Sequence, residues 1–197
     1  MLASITPLGE RGRHRRWGPT VAAYVVGSLV GGALLGTLLG AIGQLLPHRH
    51  PLPLLAAFAV ACVLGLVLDA RVGGLALPSV SRQVDESWLG RYRGWVYGLG
   101  FGFQLGLGVV TIVTTSSVYL TFMLALLGGS AVIGGLLGAV FGGVRSLPLV
   151  AMRAVAGPAQ LRAVHRRLRS WEPWAAHGTT GAVAACAVAA TVAGWPT

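Results

Sequence analysis

The sequence predicts an all-α, polytopic membrane protein with about five transmembrane helices, the N-terminus inside, the C-terminus outside, and a third helix that is long and bent or broken. Three observations predict it. Of 197 residues, 54% are hydrophobic and 10% charged, with a mean hydropathy of +0.72, more apolar than a soluble domain of this size. The apolar residues gather into five segments, about 20–46, 52–69, 94–127, 131–152 and 178–195, within a single transmembrane domain spanning 1–197. The basic residues, all fifteen of them arginine, fall mostly in alternate gaps between those segments, with Arg49 in an opposite gap and Arg145 near the end of the fourth segment.

The first segment follows Arg11, Arg13, Arg15 and Arg16, as the apolar core of a signal peptide follows its basic start. It runs for about 26 apolar residues and lacks a small-residue cleavage site, so it reads as an uncleaved first helix. Pro47 and Pro51 bound the connection to the second segment. The third segment is too long for one straight crossing: thirty-four residues extend about 50 Å as a helix, against a hydrocarbon core of about 30 Å. Two crossings there would place the cluster RAVHRRLR (162–169) outside, against the arginine pattern, so a single bent or discontinuous crossing is expected. Gly128, Gly129 and Ser130 make a tight turn into the fourth segment, and the fifth is written mostly in Ala and Val.

With the N-terminus inside, fourteen arginines fall on the inner side, among them Arg71, Arg82, Arg91, Arg93, Arg153 and Arg145 near the inner end of the fourth segment. Only Arg49 falls outside. All six tryptophans (Trp17, Trp88, Trp95, Trp171, Trp174, Trp195) lie at segment ends, where an indole prefers the interface. The stretches 82–93 (RQVDESWLGRYR) and 159–170 (AQLRAVHRRLRS) read as short amphipathic helices on the inner surface. The net charge of +10 is therefore topogenic, and nucleic acid is excluded as a partner. The expected partners are the bilayer of a bacterial cytoplasmic membrane and either further copies of the chain or a larger membrane complex.

Glycines recur at four-residue spacing in three segments: Gly32, Gly36 and Gly40; Gly98, Gly102 and Gly106; Gly134, Gly138 and Gly142. Each series lies on one helix face and permits close backbone approach, so these nine are read as helix-packing positions.

Catalytic chemistry is not indicated. The five acids, Glu10, Asp69, Asp85, Glu86 and Glu172, avoid the middles of the segments, so no buried carboxylate relays protons. The histidines lie in loops or at ends, which disfavours a haem; His48 and His50 flank Arg49 as solvated polar residues. Cys62 and Cys186 lie in separate apolar segments without CxxC spacing. No cofactor, metal or enzymatic activity is expected.

One stretch stands apart. VVTIVTTSSVY (109–119) sets hydroxyls in the middle of an apolar run. Three readings are open: bonds back to carbonyls one turn earlier, which bend a helix; bonds to a partner helix; or a polar path beside a helix break, built from Gln104, Thr111, Thr114, Thr115, Ser116, Ser117 and Tyr119, that offers neutral groups to a solute or ion.

Several stretches resemble the CcdA/DsbD-type membrane proteins of the LysE-like superfamily. SITPLGERGR (4–13) resembles the stub after that family's first helix, and VAAYVVGSLVGGALLGTLLGAIG (21–43) its second helix. YGLGFGFQLGLGVVTIVTTSSVYL (97–120) is similar to its Gly-rich broken fourth helix, and GLLGAVFGGVRSLPLV (135–150) to its fifth. The resemblance implies a six-helix inverted-repeat fold lacking its first helix. The family's redox cysteines sit in Pro-Cys breaks of its first and fourth helices; here the first is missing and 110–117 holds neither Cys nor Pro. The expectation is a transporter-like protein handling a small solute or ion at a neutral Thr/Ser site. The alternatives are a non-transporting accessory or assembly subunit of a larger membrane complex, and a residual thiol redox role for Cys62 and Cys186.

Overall fold

The protein is represented by a computed structural model that describes all residues except 1–4, 6, 13, 15, 47–50, 71–90, 109–114, 156 and 194–197. Most of the amphipathic stretch 82–93 lies outside the described residues, as do Pro47, Arg49 with its flanking histidines, Trp88, Trp195, Thr111 and Thr114.

The described residues form a short helix α1 (Pro7–Gly12) followed by α2 (Trp17–Gly43), α3 (Pro51–Asp69), α4 (Gly94–Leu107), α5 (Ser117–Leu127), α6 (Ala131–Ala151) and α7 (Pro158–Ala193). A 3-10 turn, Met152–Ala154, follows α6. Among the described residues there are thus six helices of eleven residues or more rather than five. The third apolar segment divides because Gly108 takes a left-handed conformation (φ 67°) and ends α4, its N–H bonding to the Leu105 carbonyl at 3.1 Å. A second expectation also changes. Residues 159–170 are not a separate surface helix: they continue through Pro173 and the last apolar segment as one helix of 36 residues. Proline removes one backbone donor there, but the flanking Trp, Glu, Ala and His residues are tolerant of helix and no turn sequence intervenes.

Among the described residues four helices, Trp17–Gly43, Leu52–Asp69, Ala131–Ala151 and Ala159–Val192, are long and apolar enough to cross a membrane. Helices α4 and α5, with 14 and 11 residues, are each shorter than the roughly twenty a crossing needs.

Helix α2 is the centre of the bundle, with its most extensive contacts to α6 on one side and α4 on the other. Its glycines explain why. A β-carbon at Gly32 would run into the carbonyl of Gly138, at Gly36 into that of Gly134, and at Gly40 into that of Ser130. Rising numbers on α2 meet falling numbers on α6, so these helices are antiparallel. Towards α4 the numbers rise together: Gly98 meets Thr20, Gly102 meets Tyr24 and Gly106 meets Ser28. Helix α4 therefore runs parallel to α2. Helix α5 continues in the same direction, with Val118 and Phe122 packed on Leu35 and Leu39, and Leu126 against Gly43. The two short helices lie one after the other along the length of α2. At Ser28 three helices converge: its carbonyl touches Gly106 and Gly142, and its Oγ donates to the Gly142 carbonyl at 2.7 Å.

Two larger apolar clusters complete the packing. Val21, Tyr24, Tyr97, Phe101 and Leu149 join α2, α4 and α6 beneath Ile5 of the N-terminal segment. Phe58, Ala59, Cys62, Leu120, Val183, Ala187 and Ala190 join α3, α5 and α7. Helix α5 is the element shared between the α2 bundle and the α3–α7 pair.

Substituting Gly36 or Gly102 with alanine should lower unfolding free energy in detergent by about 3 kcal/mol, near the upper end for overpacking, because the added carbon meets backbone. Gly178→Ala on α7 meets nothing within 4 Å and should be neutral or stabilising by up to about 1 kcal/mol. Thermal unfolding followed by tryptophan fluorescence distinguishes the two outcomes.

Candidate functional site at the helix break

Each hydroxyl of the Thr/Ser stretch that the structure describes has a definite surrounding. Ser116 precedes α5 and is buried. Asp69, the last residue of α3, accepts from the Ser116 N–H at 2.8 Å through Oδ1 and from the Ser116 hydroxyl at 2.6 Å through Oδ2. A carboxylate from another helix therefore caps the start of α5, satisfying a backbone donor that the helix leaves open and placing negative charge at its positive end. One turn before Asp69, Gly65 leaves room for the same serine: a β-carbon there would stand 2.8 Å from the Ser116 hydroxyl. Gly65 and Asp69 occupy one face of α3 by their four-residue spacing.

The neighbouring hydroxyls bond locally. Thr115 Oγ1 and Ser117 Oγ are 2.8 Å apart, and Thr121 donates back to the Ser117 carbonyl at 2.7 Å. Gln104 is half-buried on α4, and Tyr119 is exposed on α5. Thr111 and Thr114 lie outside the described residues. Of the seven positions read from the sequence, the structure brings Thr115, Ser116 and Ser117 together.

Two hollows flank this point. One, of about 190 Å³, lies among α3, α5 and α7, lined by Phe58, Cys62, Val183 and Cys186 with Ser117 and Thr121. Cys62 and Cys186 are both free thiols. The other, a cleft of about 480 Å³ between α5 and α6, is lined by Thr115, Ser117 and Thr121 on one side and by Val140, Val144 and Arg145 on the other. The guanidinium of Arg145 sits 5.4 Å above the Phe141 ring, whose partner Phe122 meets it edge-on at 4.9 Å. The environment is not neutral, because it has a carboxylate on the α3 side and a guanidinium on the α6 side. Among the described residues no group of three or more His, Cys, Asp or Glu side chains could hold a metal.

A second polar centre lies near the start of α2. Glu10 on α1 is fully buried, and its carboxylate accepts from the Tyr97 hydroxyl and lies 3.2 Å from Thr20 Oγ1. The Thr20 hydroxyl also lies 3.3 Å from the Arg16 carbonyl, and Trp17 Nε1 donates to the Ile5 carbonyl at 3.2 Å. Glu10, Asp69 and Arg145 were passed over in the sequence as terminal or topogenic charges. A lone arginine inside an otherwise apolar helix, and an acid closing an apolar helix, are the signals that mark two of them.

Asp69→Ala should cost about 2 kcal/mol of stability and Ser116→Ala about 1 kcal/mol, the range for hydrogen bonds to charged and neutral groups. If the two side chains act through each other, the double variant is less destabilised than the sum of the single ones, by about 1 kcal/mol in a thermodynamic cycle. Strict additivity contradicts the clasp.

No protein-family model and no solved structure matches the chain. Curated relatives do. The chain is 34% identical over 152 residues to the methylamine utilization protein MauF of Methylophilus methylotrophus, a match covering 75% of this chain and 53% of that protein. It is 34% identical over 160 residues to the MauF of Paracoccus versutus, covering 75% and 56%. The MauF of Methylorubrum extorquens is 31% identical over 153 residues. The chain spans about half the length of these curated relatives. These matches replace the CcdA/DsbD-type resemblance, which rested on glycine patterns that any closely packed helices share, and with it the solute-transport and thiol-redox readings attached to it. What this chain is similar to is a set of methylamine utilization proteins named MauF.

Proposed function

We propose that the chain is a membrane-embedded, non-enzymatic accessory subunit of methylamine utilisation, acting by packing against a larger membrane complex rather than by moving a solute. The observation that carries this reading is the name shared by the matched relatives. The site supports it, since Ser116 is committed to Asp69 and the hydroxyls of Thr115, Ser117 and Thr121 bond among themselves or to backbone.

In this reading the protein resides in a bacterial cytoplasmic membrane with its N-terminus inside and its C-terminus outside. Helices α4 and α5 together make one crossing, parallel to α2, and α2, α3, α6 and α7 make the other four. The arginine pattern supports that orientation, with fourteen of fifteen on the inner side. The parallel register of α4 and α5 along α2 supports counting them as one crossing.

The test is genetic. Exchanging the matching region of the Methylophilus methylotrophus protein for this chain should preserve growth on methylamine, and an exchange carrying Gly102→Leu should abolish it. The shape-preserving pair Thr115→Val and Ser117→Val should leave growth unchanged. Loss of growth with that pair, at unchanged expression, would return the hydroxyls to a direct role and contradict the reading.

A further inference from the structure

Helix α7 is longer than a bilayer needs. Its 36 residues extend about 54 Å, against a hydrocarbon core of about 30 Å that about twenty residues cross. Counted back from Ala193, where the helix ends, a crossing of that length reaches Trp174, and 158–173 continue beyond it. That extension is largely open. Its arginines, Arg162, Arg166, Arg167 and Arg169, are all exposed, as are Trp171 at 58% and Trp174 at 78%.

These side chains are ordered around the helix. Trp174 precedes Val183 by nine residues, about two and a half turns, and Val183 packs into the cluster shared with α3 and α5, so Trp174 faces away from the bundle. Trp171 and Arg167, three and seven positions earlier, share that outward face, and the Arg167 guanidinium lies 5.3 Å from the Trp171 ring. An indole pair at the end of a crossing settles at the membrane interface. The Arg167 guanidinium, at the level of Trp171, then stands about 5 Å beyond the hydrocarbon boundary, in the headgroup layer. Arg162, Arg166 and Arg169 lie on a second face at spacings of four and three, where like charges repel, and Glu172 is the one acid between Pro158 and Ala193. Arginine stems are long enough to carry the charges of Arg166 and Arg169 back to the same layer.

We propose that the base of this extension binds the headgroup of an anionic phospholipid, with Arg166, Arg167 and Arg169 supplying the charge and Trp171 and Trp174 seating the helix at the interface. The proposal rests on the membrane-embedded part of the reading above and not on the accessory role. A lipid fits better than an acidic protein segment because the charge stands directly over an indole pair at the end of an apolar crossing. Phosphate oxygens accept paired hydrogen bonds from guanidinium and offset the repulsion among the arginines. Topogenic charge needs only an excess on one side, whereas a headgroup site needs particular arginines at one depth. Helix α7 packs chiefly on α3, so a bound headgroup fixes the half of α7 that the bundle leaves open.

The experiment uses the full chain in nanodiscs of phosphatidylcholine, alone or with about a quarter of phosphatidylglycerol. Amide hydrogen exchange over 160–172 is the readout. It should be at least about tenfold slower with phosphatidylglycerol present, with exchange in α2 unchanged. Arg166→Gln, Arg167→Gln and Arg169→Gln together should remove the difference, and Arg153→Gln, at an exposed arginine outside α7, should leave it. Equal exchange of the unaltered chain in the two discs overturns the proposal without needing any variant to fold. An equal loss with Arg153→Gln assigns the effect to charge at large and also overturns it. Millimolar inorganic phosphate that gives the same protection in phosphatidylcholine discs would assign the site to a free anion. Polyglutamate that protects where phosphatidylglycerol does not would assign it to an acidic protein segment, and either result overturns the lipid. Failure here, with growth on methylamine still dependent on the chain, removes this site and leaves the proposed function standing. A chain that does not enter the discs at all contradicts the membrane-embedded reading together with the proposal.

Discussion

Along α2 the carbonyl oxygens of neighbouring helices occupy the space where β-carbons would stand. Gly32 and Gly36 face Gly138 and Gly134 of α6, while the Tyr24 and Ser28 carbonyls face Gly102 and Gly106 of α4. Between helices in a hydrocarbon environment there is no hydrophobic driving force, since lipid tails are as apolar as leucine. Association then depends on how closely backbones approach, through dispersion and through Cα–H groups pointing at carbonyls. Glycine gives the closest approach. It costs about 1 kcal/mol per position in helix propensity relative to alanine, which this chain accepts in exchange for two interfaces on one central helix.

The position of the break follows from that constraint. Helix α4 is held in register with the first part of α2 by Thr20, Tyr24 and Ser28, and α5 with the later part by Leu35, Leu39 and Gly43. Between them Gly108 ends one helix and Asp69 caps the next, so the interruption is anchored from α3 as well. Glu10 does comparable work at the other end, joining α1 to α2 and α4 through Thr20 and Tyr97. Asp69 acts at a helix end, where a backbone donor needs a partner, whereas Ser28 and Arg145 lie within helices.

Parts of this were legible in the sequence and parts were not, for identifiable reasons. Apolar length alone marks α2, α3 and α6, each long and apolar enough to cross a membrane. Length also revealed that 94–127 could not be one straight helix, but not that it becomes two: the left-handed turn at Gly108 looks in sequence like any other glycine of that face. The continuation of α7 through Pro173 was hidden because proline and charged residues ordinarily mark a boundary. The hydroxyl cluster announced itself, whereas its bond to Asp69 joins residues 47 positions apart and has no local signature. Four-residue glycine spacing defines a face without saying which helix meets it, and for the same reason it misdirected the family resemblance.

Amide hydrogen exchange in detergent, resolved by helix, tests the central role of α2 most directly. Local opening is governed by how much packing must be undone. If the glycine interfaces hold the bundle together, amides of α2 from Val21 to Gly40 exchange slowest in the protein, those of α4 and α6 facing it come next, and those of α3 and the largely exposed α7 exchange first. Slower exchange in α3 and α7 than in α2 would place the stabilising centre in the other cluster and contradict the account.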